Sequence, residues 1–205
     1  MARLQLSKSA LNREEQQLAT FERFLPSLDL KRRQLIAERA KAKAQLAASQ
    51  QEIEALLDDV AKALPMLASR EVDLTNLARV AKVSLGSENI VGARLPTLAE
   101  VEIEARPYAL MAKPHWVDRL VEDLRRMVEL RLRLQVEERR LLLLEEAVKK
   151  VTQRVNLFDK VLIPRARTNI KKIEIFLADG ERAGVVRAKI AKAKRQAQAE
   201  SGAEA

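Results

Sequence analysis

This sequence holds few of the side chains that do covalent chemistry. It has no cysteine and a single histidine, His115, set between Pro114 and Trp116. A general base needs a positioned partner within hydrogen-bond reach, and the surroundings of His115 predict a helix-entry residue instead. Absence of cysteine excludes thiol catalysis, Cys-ligated zinc and a disulfide scaffold. Most acids stand three or four positions from a base on predicted helices: Glu122 beside Arg125 and Arg126, Glu146 beside Lys149 and Lys150. Such pairs support a helix by about 0.2–0.5 kcal/mol each and do no acid–base work. No metal-ligand spacing occurs. The five glycines do not supply a phosphate-cradling loop. Gly180 and Gly184 match a small-residue spacing, but Glu181 and Arg182 between them exclude a membrane dimer face. The sequence therefore predicts a non-catalytic chain without cofactor or metal.

What remains distinctive is charge. The 205 residues carry 38 Lys/Arg and 29 Asp/Glu, a formal charge of +9. The excess lies in residues 115–205, with 21 basic against 14 acidic side chains. From Arg182 through Arg195 there is no acid at all. Such a stretch meets nucleic acid, anionic lipid or an acidic protein surface. Part of it also complements a helix C-terminus. No aromatic residue follows Phe176, so the stacking platforms of nucleic-acid binders are missing. No apolar run approaches the roughly 20 residues of a membrane span. Met1–Lys8 lacks the apolar stretch of a signal peptide, and the absence of cysteine is compatible with the cytosol.

The elements that carry these charges follow from helix breakers and period. Aromatics are 3% of the chain and charged residues 33%, a composition that points to long helices and coiled coil. Three segments emerge: a long helix within 1–64, a middle with a short helix and a β-hairpin over 65–115, and a second long helix within 116–205 ending in a basic stretch and a frayed tail from Gln196. In the second helix Leu120, Met127, Leu134, Leu141, Val148, Val155 and Leu162 recur every seven residues. The companion row is Asp123, Leu130, Glu137, Leu144, Val151 and Phe158, which fails at its two acids. Alternating steps of three and four from Leu141 to Leu162 predict a coiled-coil seam. The first helix repeats the pattern more weakly. Leu4, Leu11, Leu18 and Leu25 give way to Arg32 and Arg39 before Leu46, Ile53 and Val60 resume. The other row runs Ser7, Glu14, Phe21, Leu28, Leu35, Ala42, Ser49, Leu56, Ala63. At about 1.5 Å per residue the helices would be roughly 90 and 120 Å long. Pairing with each other, antiparallel, buries both stripes. The expected fold is thus all-α in the main, a two-helix antiparallel coiled coil with a small β-hairpin inserted. Pro26 and Pro164 must kink or break these helices, or bend them to fit a shaped cavity. In the middle, Arg79–Leu85 alternates, Gly86–Asn89 is rich in turn formers, and Ile90–Leu95 follows until Pro96. This predicts the hairpin, while Val101–Glu104 is either a further strand or a loop edge.

Particular residues carry a family resemblance. Gln153-Arg-Val-Asn-Leu-Phe-Asp-Lys-Val-Leu-Ile-Pro164 resembles the signature of the D subunit of V-type ATPases and ATP synthases. Thr168-Asn-Ile-Lys-Lys-Ile173, Leu177–Asp179, Glu181 and Arg182 fit the pattern that follows it. Leu28-Asp-Leu-Lys-Arg-Arg-Gln-Leu35 and Asn89-Ile-Val-Gly-Ala-Arg-Leu-Pro96 are similar to the family's N-terminal and hairpin segments. Pro26, where the family has a small residue, and Gly180 depart from the pattern.

The resemblance implies a central-stalk axle. Its two terminal helices would form a coiled coil entering the hexamer of A and B subunits, with the F subunit at its side. The funnel-shaped subunit (C, or d) would join its lower end to the membrane rotor ring. ATP chemistry would belong to the partners. The chain would be cytoplasmic and peripheral to the membrane, and would bind no nucleic acid. Arg154, Asn156, Pro164, Arg165, Arg167, Lys171, Lys172, Lys31 and Arg32 are then expected to face the hexamer bore. Val83, Leu85, Gly86, Gly92 and Pro96 would form a hairpin at the membrane-facing end that modulates ATPase rate. The alternative is a stand-alone coiled-coil scaffold or nucleic-acid-binding helical hairpin.

Overall fold

The computed structural model describes residues 4–68, 74, 77–105 and 113–203, with side chains through 196 except that of residue 68. The polar tail expected from Gln196 therefore falls mostly outside the described side chains. Helix α1 spans Lys8–Ala63. Ser7 caps it, its Oγ accepting the Ala10 N–H at 3.3 Å and its carbonyl the Leu11 N–H at 3.0 Å. Pro65, which cannot continue the ladder, opens a short 3-10 turn, Pro65–Ala68. Strands β1 (Ala78–Ile90) and β2 (Ala93–Ala105) pair antiparallel. Helix α2 (Trp116–Leu157) follows, then one π-helical segment, Phe158–Leu162, and helix α3 (Ile163–Ala203). The mainly helical fold with one small hairpin is as the sequence predicts.

The chain divides into two units, one of Met1–Asp29 with Gln153–Ala205 and the other of Leu30–Thr152. In the second, the hairpin unit, α1 and α2 zip antiparallel. Ile53 and Leu56 close on Leu130, with Val60, Met127 and Leu134 around them. Leu64 and Leu77 meet Val117, Leu120 and Val121. The heptad rows of α1 are the buried ones here: Leu35, Ala42, Ser49, Ile53 and Leu56. Glu137, at a seam position of α2, is half-buried, and its Oε2 is buried without a hydrogen-bond partner.

The hairpin differs from expectation in its turn. Gly86–Asn89 lie within β1, and the chain reverses at Val91–Gly92, with φ of 52° and 81°. Positive φ at both central residues is the geometry of a type I′ turn, whose twist matches the strands. Gly86 has a different reason to be glycine. A Cβ there would approach Thr97 Oγ1, its neighbour across the ladder, to 2.7 Å. Pro96 is not the end of β2, and Val101–Glu104 are the far part of the same strand. Two register shifts, at Val80/Lys82 and Ser84/Leu85, interrupt the ladder. Leu95 is fully buried, while Val80, Val83 and Leu85 are exposed.

In the other, terminal unit, the start of α1 pairs antiparallel with the segment after Gln153. Phe21 meets Phe158 edge to face, centroids 5.4 Å apart. Glu14 Oε2 accepts from Asn169 Nδ2 at 3.2 Å, and Glu22 Oε1 from Arg167 at 2.7 Å. The seven-residue row holds through Val155, which is buried. It then shifts. Leu162 is only half-buried, and the seam continues through Ile163, Ala166 and Ile173, all buried. Val155 to Ile163 is eight residues, one more than a heptad. The π segment absorbs that residue. Its i→i−5 bond, Ile163 N–H to Phe158 O, turns the chain less per residue than an α-helix and so returns the apolar stripe to the seam. Pro164 follows at once. Its missing N–H would have bonded Lys160 in an α-helix, so its helix interruption is accommodated by the same segment. The helix bends its hydrogen bonding there and does not end.

Candidate functional site

The positions named from the sequence are mostly exposed or half-buried side chains on the helices and the hairpin. His115 is exposed at the entry of α2. No group of three His, Cys, Asp or Glu among the described residues is placed to hold a metal ion.

The basic residues named from the sequence fall into two sets. Arg154, Asn156, Pro164, Arg165, Arg167, Lys171 and Lys172 are exposed in the terminal unit. The seam explains their orientation. With Val155, Ile163, Ala166 and Ile173 turned to α1, residues one or two positions away on the helix are carried outward at about 100° per residue. Arg167 is not wholly available to a partner, since it is paired with Glu22 at 2.7 Å. Lys31 and Arg32 belong to the hairpin unit and are half-buried. Lys31 Nζ stands 3.0 Å from where a Cβ on Gly92 would be, so this lysine lies at the hairpin turn.

The hairpin set is similarly divided. Val83 and Leu85 are exposed, Gly86 and Pro96 are half-buried, and Gly92 forms the turn. The hairpin is fastened to α2 by Arg140, which donates to Glu88 Oε2 at 3.0 Å with its own side chain 21% exposed. Beside that pair, Pro96, Thr97 and Leu98 of β2 border a cleft also lined by Ala48 and Ser49 of α1 and Arg133, Glu137 and Arg140 of α2.

One feature went unnoticed in the sequence. From Asp179 through Gln196 every residue is exposed. Val185, Val186 and Ile190 are each more than half exposed there, among Arg182, Arg187, Lys189, Lys192, Lys194 and Arg195. This stretch of α3 has apolar side chains, a strong positive charge and no covering segment among the described residues of its unit. The signal was available. The two expected helices, roughly 90 and 120 Å long, are unequal, so an antiparallel pair must leave one end bare. Among the described residues no helix is long and apolar enough to cross a membrane.

The sequence matches the family model for the D subunit of ATP synthase over residues 10–193. It is 34% identical to a V-type ATP synthase D subunit of Borreliella burgdorferi, covering 94% of this chain and 95% of that one. It is equally similar, 34%, to one of Chlamydia felis over 95% of each chain. A third, from Chlamydia trachomatis serovar L2, is 33% identical over 95% of this chain and 97% of its own.

Proposed function

This chain belongs to the D-subunit family of ATP synthases, and on that premise we propose that it is the central-stalk axle of a V-type complex. It carries torque between a catalytic hexamer of A and B subunits and a membrane rotor ring, and does no ATP chemistry itself. The F subunit flanks it, and the funnel-shaped subunit joins it to the ring. The observation that carries the reading is the bare end of α3, Asp179–Gln196, exposed on all sides. A lone helix with this mixture of Val, Ile and Lys/Arg is poorly stabilised in water and gains from a surrounding sleeve. Its many solvated cations make contacts that are weak and exchangeable, as a turning surface requires. Arg165, Lys171 and Lys172, exposed on the paired part of α3, extend the same charge toward that sleeve. The hairpin at Val83–Pro96 is assigned to the membrane-facing end of the stalk, where it modulates ATPase rate.

Co-expression with the A, B and F subunits followed by size-exclusion chromatography tests the reading. One copy of this chain should elute with each hexamer. Elution apart from the hexamer overturns the axle. Salt-sensitive binding to nucleic acid, in its place, would support the alternative class. Charge reversal of Arg165, Lys171 and Lys172 together should weaken assembly or lower coupled ATPase severalfold. Assembly and turnover equal to the unaltered chain would remove these residues from the contact. Deleting Ser84–Val91 should alter the ATPase rate of the complex without preventing its assembly.

A further inference from the structure

In the hairpin unit, the charges along α2 are spaced as two local pairs, and the structure makes only one of them. Glu129 and Arg133, at i and i+4, are joined at 3.2 Å. Glu137 and Arg140, at i and i+3, again set the acid before the base, the order that suits a helix. Their pair is not made. Arg140 reaches across to the hairpin instead, where its Nη2 donates to Glu88 Oε2 at 3.0 Å. Glu137 is left with a buried oxygen that no donor meets. One guanidinium thus stands between two carboxylates, one on its own helix and one on the hairpin.

The hairpin is fixed at its root and loosely seated beyond it. Leu77, just before β1, and Ala105, at the end of β2, pack into the cluster around Val117 and Leu120. Past the root the ladder is interrupted twice, at Val80/Lys82 and Ser84/Leu85, and such interruptions bend a strand. Further out, Pro96–Leu98 border a cleft of about 400 Å3 over Ser49 and Glu137, where flat packing on the helices would leave no gap. Three contacts hold the distal end: the bond from Arg140 to Glu88, the fully buried Leu95, and Lys31 beside the turn at Gly92.

We propose that Arg140 is a two-position latch. Bonded to Glu88 it holds the hairpin against the helix pair; bonded to Glu137 it lets the distal hairpin swing outward about the two register shifts. Each position has a cost. The closed form leaves the Glu137 oxygen without a donor. The open form uncovers Leu95, a whole buried side chain, so the closed form predominates. Opening nevertheless strands no ion. The Glu88 side chain is 51% exposed already and returns to water, while Arg140 keeps a carboxylate partner on its own helix. The latch rests on this geometry. Its use, to set the ATPase rate through the hairpin, rests on the axle reading.

The chain has no cysteine, so two introduced ones report the swing in the full chain. Spin labels on Asn89→Cys in β1 and Lys43→Cys in α1, both exposed positions, give the distance between hairpin and helix by pulsed dipolar spectroscopy. With the latch intact one distance should dominate. Glu88→Gln weakens the closed position and should raise the longer-distance population about threefold or more. Adding Glu137→Gln removes the second position and should return that population to its starting value. An unchanged distribution in Glu88→Gln overturns the latch. A longer population that persists in the double variant overturns the exchange with Glu137. If the double variant does not fold, Glu88→Gln with Glu137→Leu decides in its place, since leucine suits the seam. In the hexamer complex Glu88→Gln and Glu137→Gln should shift the ATPase rate in opposite directions, by about twofold or more. Shifts of one sign, or none, remove the regulatory use. Failure of the unaltered chain to join the hexamer overturns the axle reading and leaves the measured distances standing.

Discussion

The two units break the coiled-coil rule in opposite ways. In the hairpin unit the helical backbones are regular and the side chains offend: Arg39 is exposed on a seam row, Ser49 is buried there, and Glu137 hides an unpartnered carboxylate oxygen. In the terminal unit the seam after Val155 is apolar and the backbone offends, through Pro26, the π segment and Pro164. The difference teaches that stability and stiffness are separable in a helix pair. A misplaced polar side chain costs burial energy but leaves the hydrogen-bond ladder whole. An extra residue or a proline leaves the apolar stripe almost intact and weakens the ladder itself.

The largest expected effects test whether the seam beyond the π segment is a core equal to the one before it. Ile173 is 0% exposed in the terminal unit and Leu35 1% exposed in the hairpin unit. Truncating either to alanine should cost about 2–5 kcal/mol, the usual range for a buried aliphatic side chain. Urea melts of Ile173→Ala and Leu35→Ala would measure both. A loss below about 1 kcal/mol for Ile173→Ala would mean that the shifted stripe is not packed, and the comparison would fail.

How far the sequence reached follows from the same contrast. Side-chain periodicity is written in the sequence, so Leu35, Ala42, Ile53, Leu56, Leu130 and Leu144 were legible as seam residues and all are buried. A π turn has no residue type of its own. Extending the heptad from Val155 to Leu162 therefore placed Leu162 in the seam, where Ile163 is the buried residue. The only trace was a second run of three-and-four steps, Ile163, Ala166, Ile170 and Ile173, one residue out of phase with the first. The hairpin was misread for a related reason. Glycine marks both a positive φ and a close approach. Gly86 serves the approach and Gly92 the turn, and composition alone favoured the wrong one. The candidate contact residues were legible as charge. Their partners were not, because a partner's surface leaves no period in this chain.

The next effect tests the side-chain faults. Glu137→Leu completes the companion row of α2 and removes the buried unpartnered oxygen. It should stabilise the chain by about 1–3 kcal/mol, the cost of an unsatisfied buried polar group. Glu138→Leu, one position away and exposed, is the control and should change little. Thermal melts showing no gain for Glu137→Leu would mean that the carboxylate is already satisfied. The hairpin unit would then have no serious side-chain fault at that position.

A smaller effect probes a backbone fault on the other side of the comparison. Val91 is a β-branched residue at φ 52°, a conformation that costs an L-residue roughly 1–2 kcal/mol. Val91→Gly should relieve most of it, offset by the added freedom of the unfolded glycine. A net gain of about 0.5–1 kcal/mol is expected, read as a later urea midpoint with unchanged slope. A loss instead would show that the Val91 side chain holds the turn in place, since it is half-buried.

The smallest effect separates what ties the terminal helices together from what a partner could use. The Arg167–Glu22 pair is short, 2.7 Å, yet its side chains are 65% and 46% exposed. Solvent screening limits such a pair to about 0–1 kcal/mol. Arg167→Ala should therefore lower stability by less than about 1 kcal/mol, and the difference should shrink further when salt is raised from 50 to 500 mM. If the loss exceeds about 2 kcal/mol and ignores salt, the pair is a structural clamp and the helices are held by charge as much as by Ile163, Ala166 and Ile173. A small, salt-sensitive loss leaves the apolar stripe as the fastening, and the Arg167–Glu22 pair as a weak surface contact beside it.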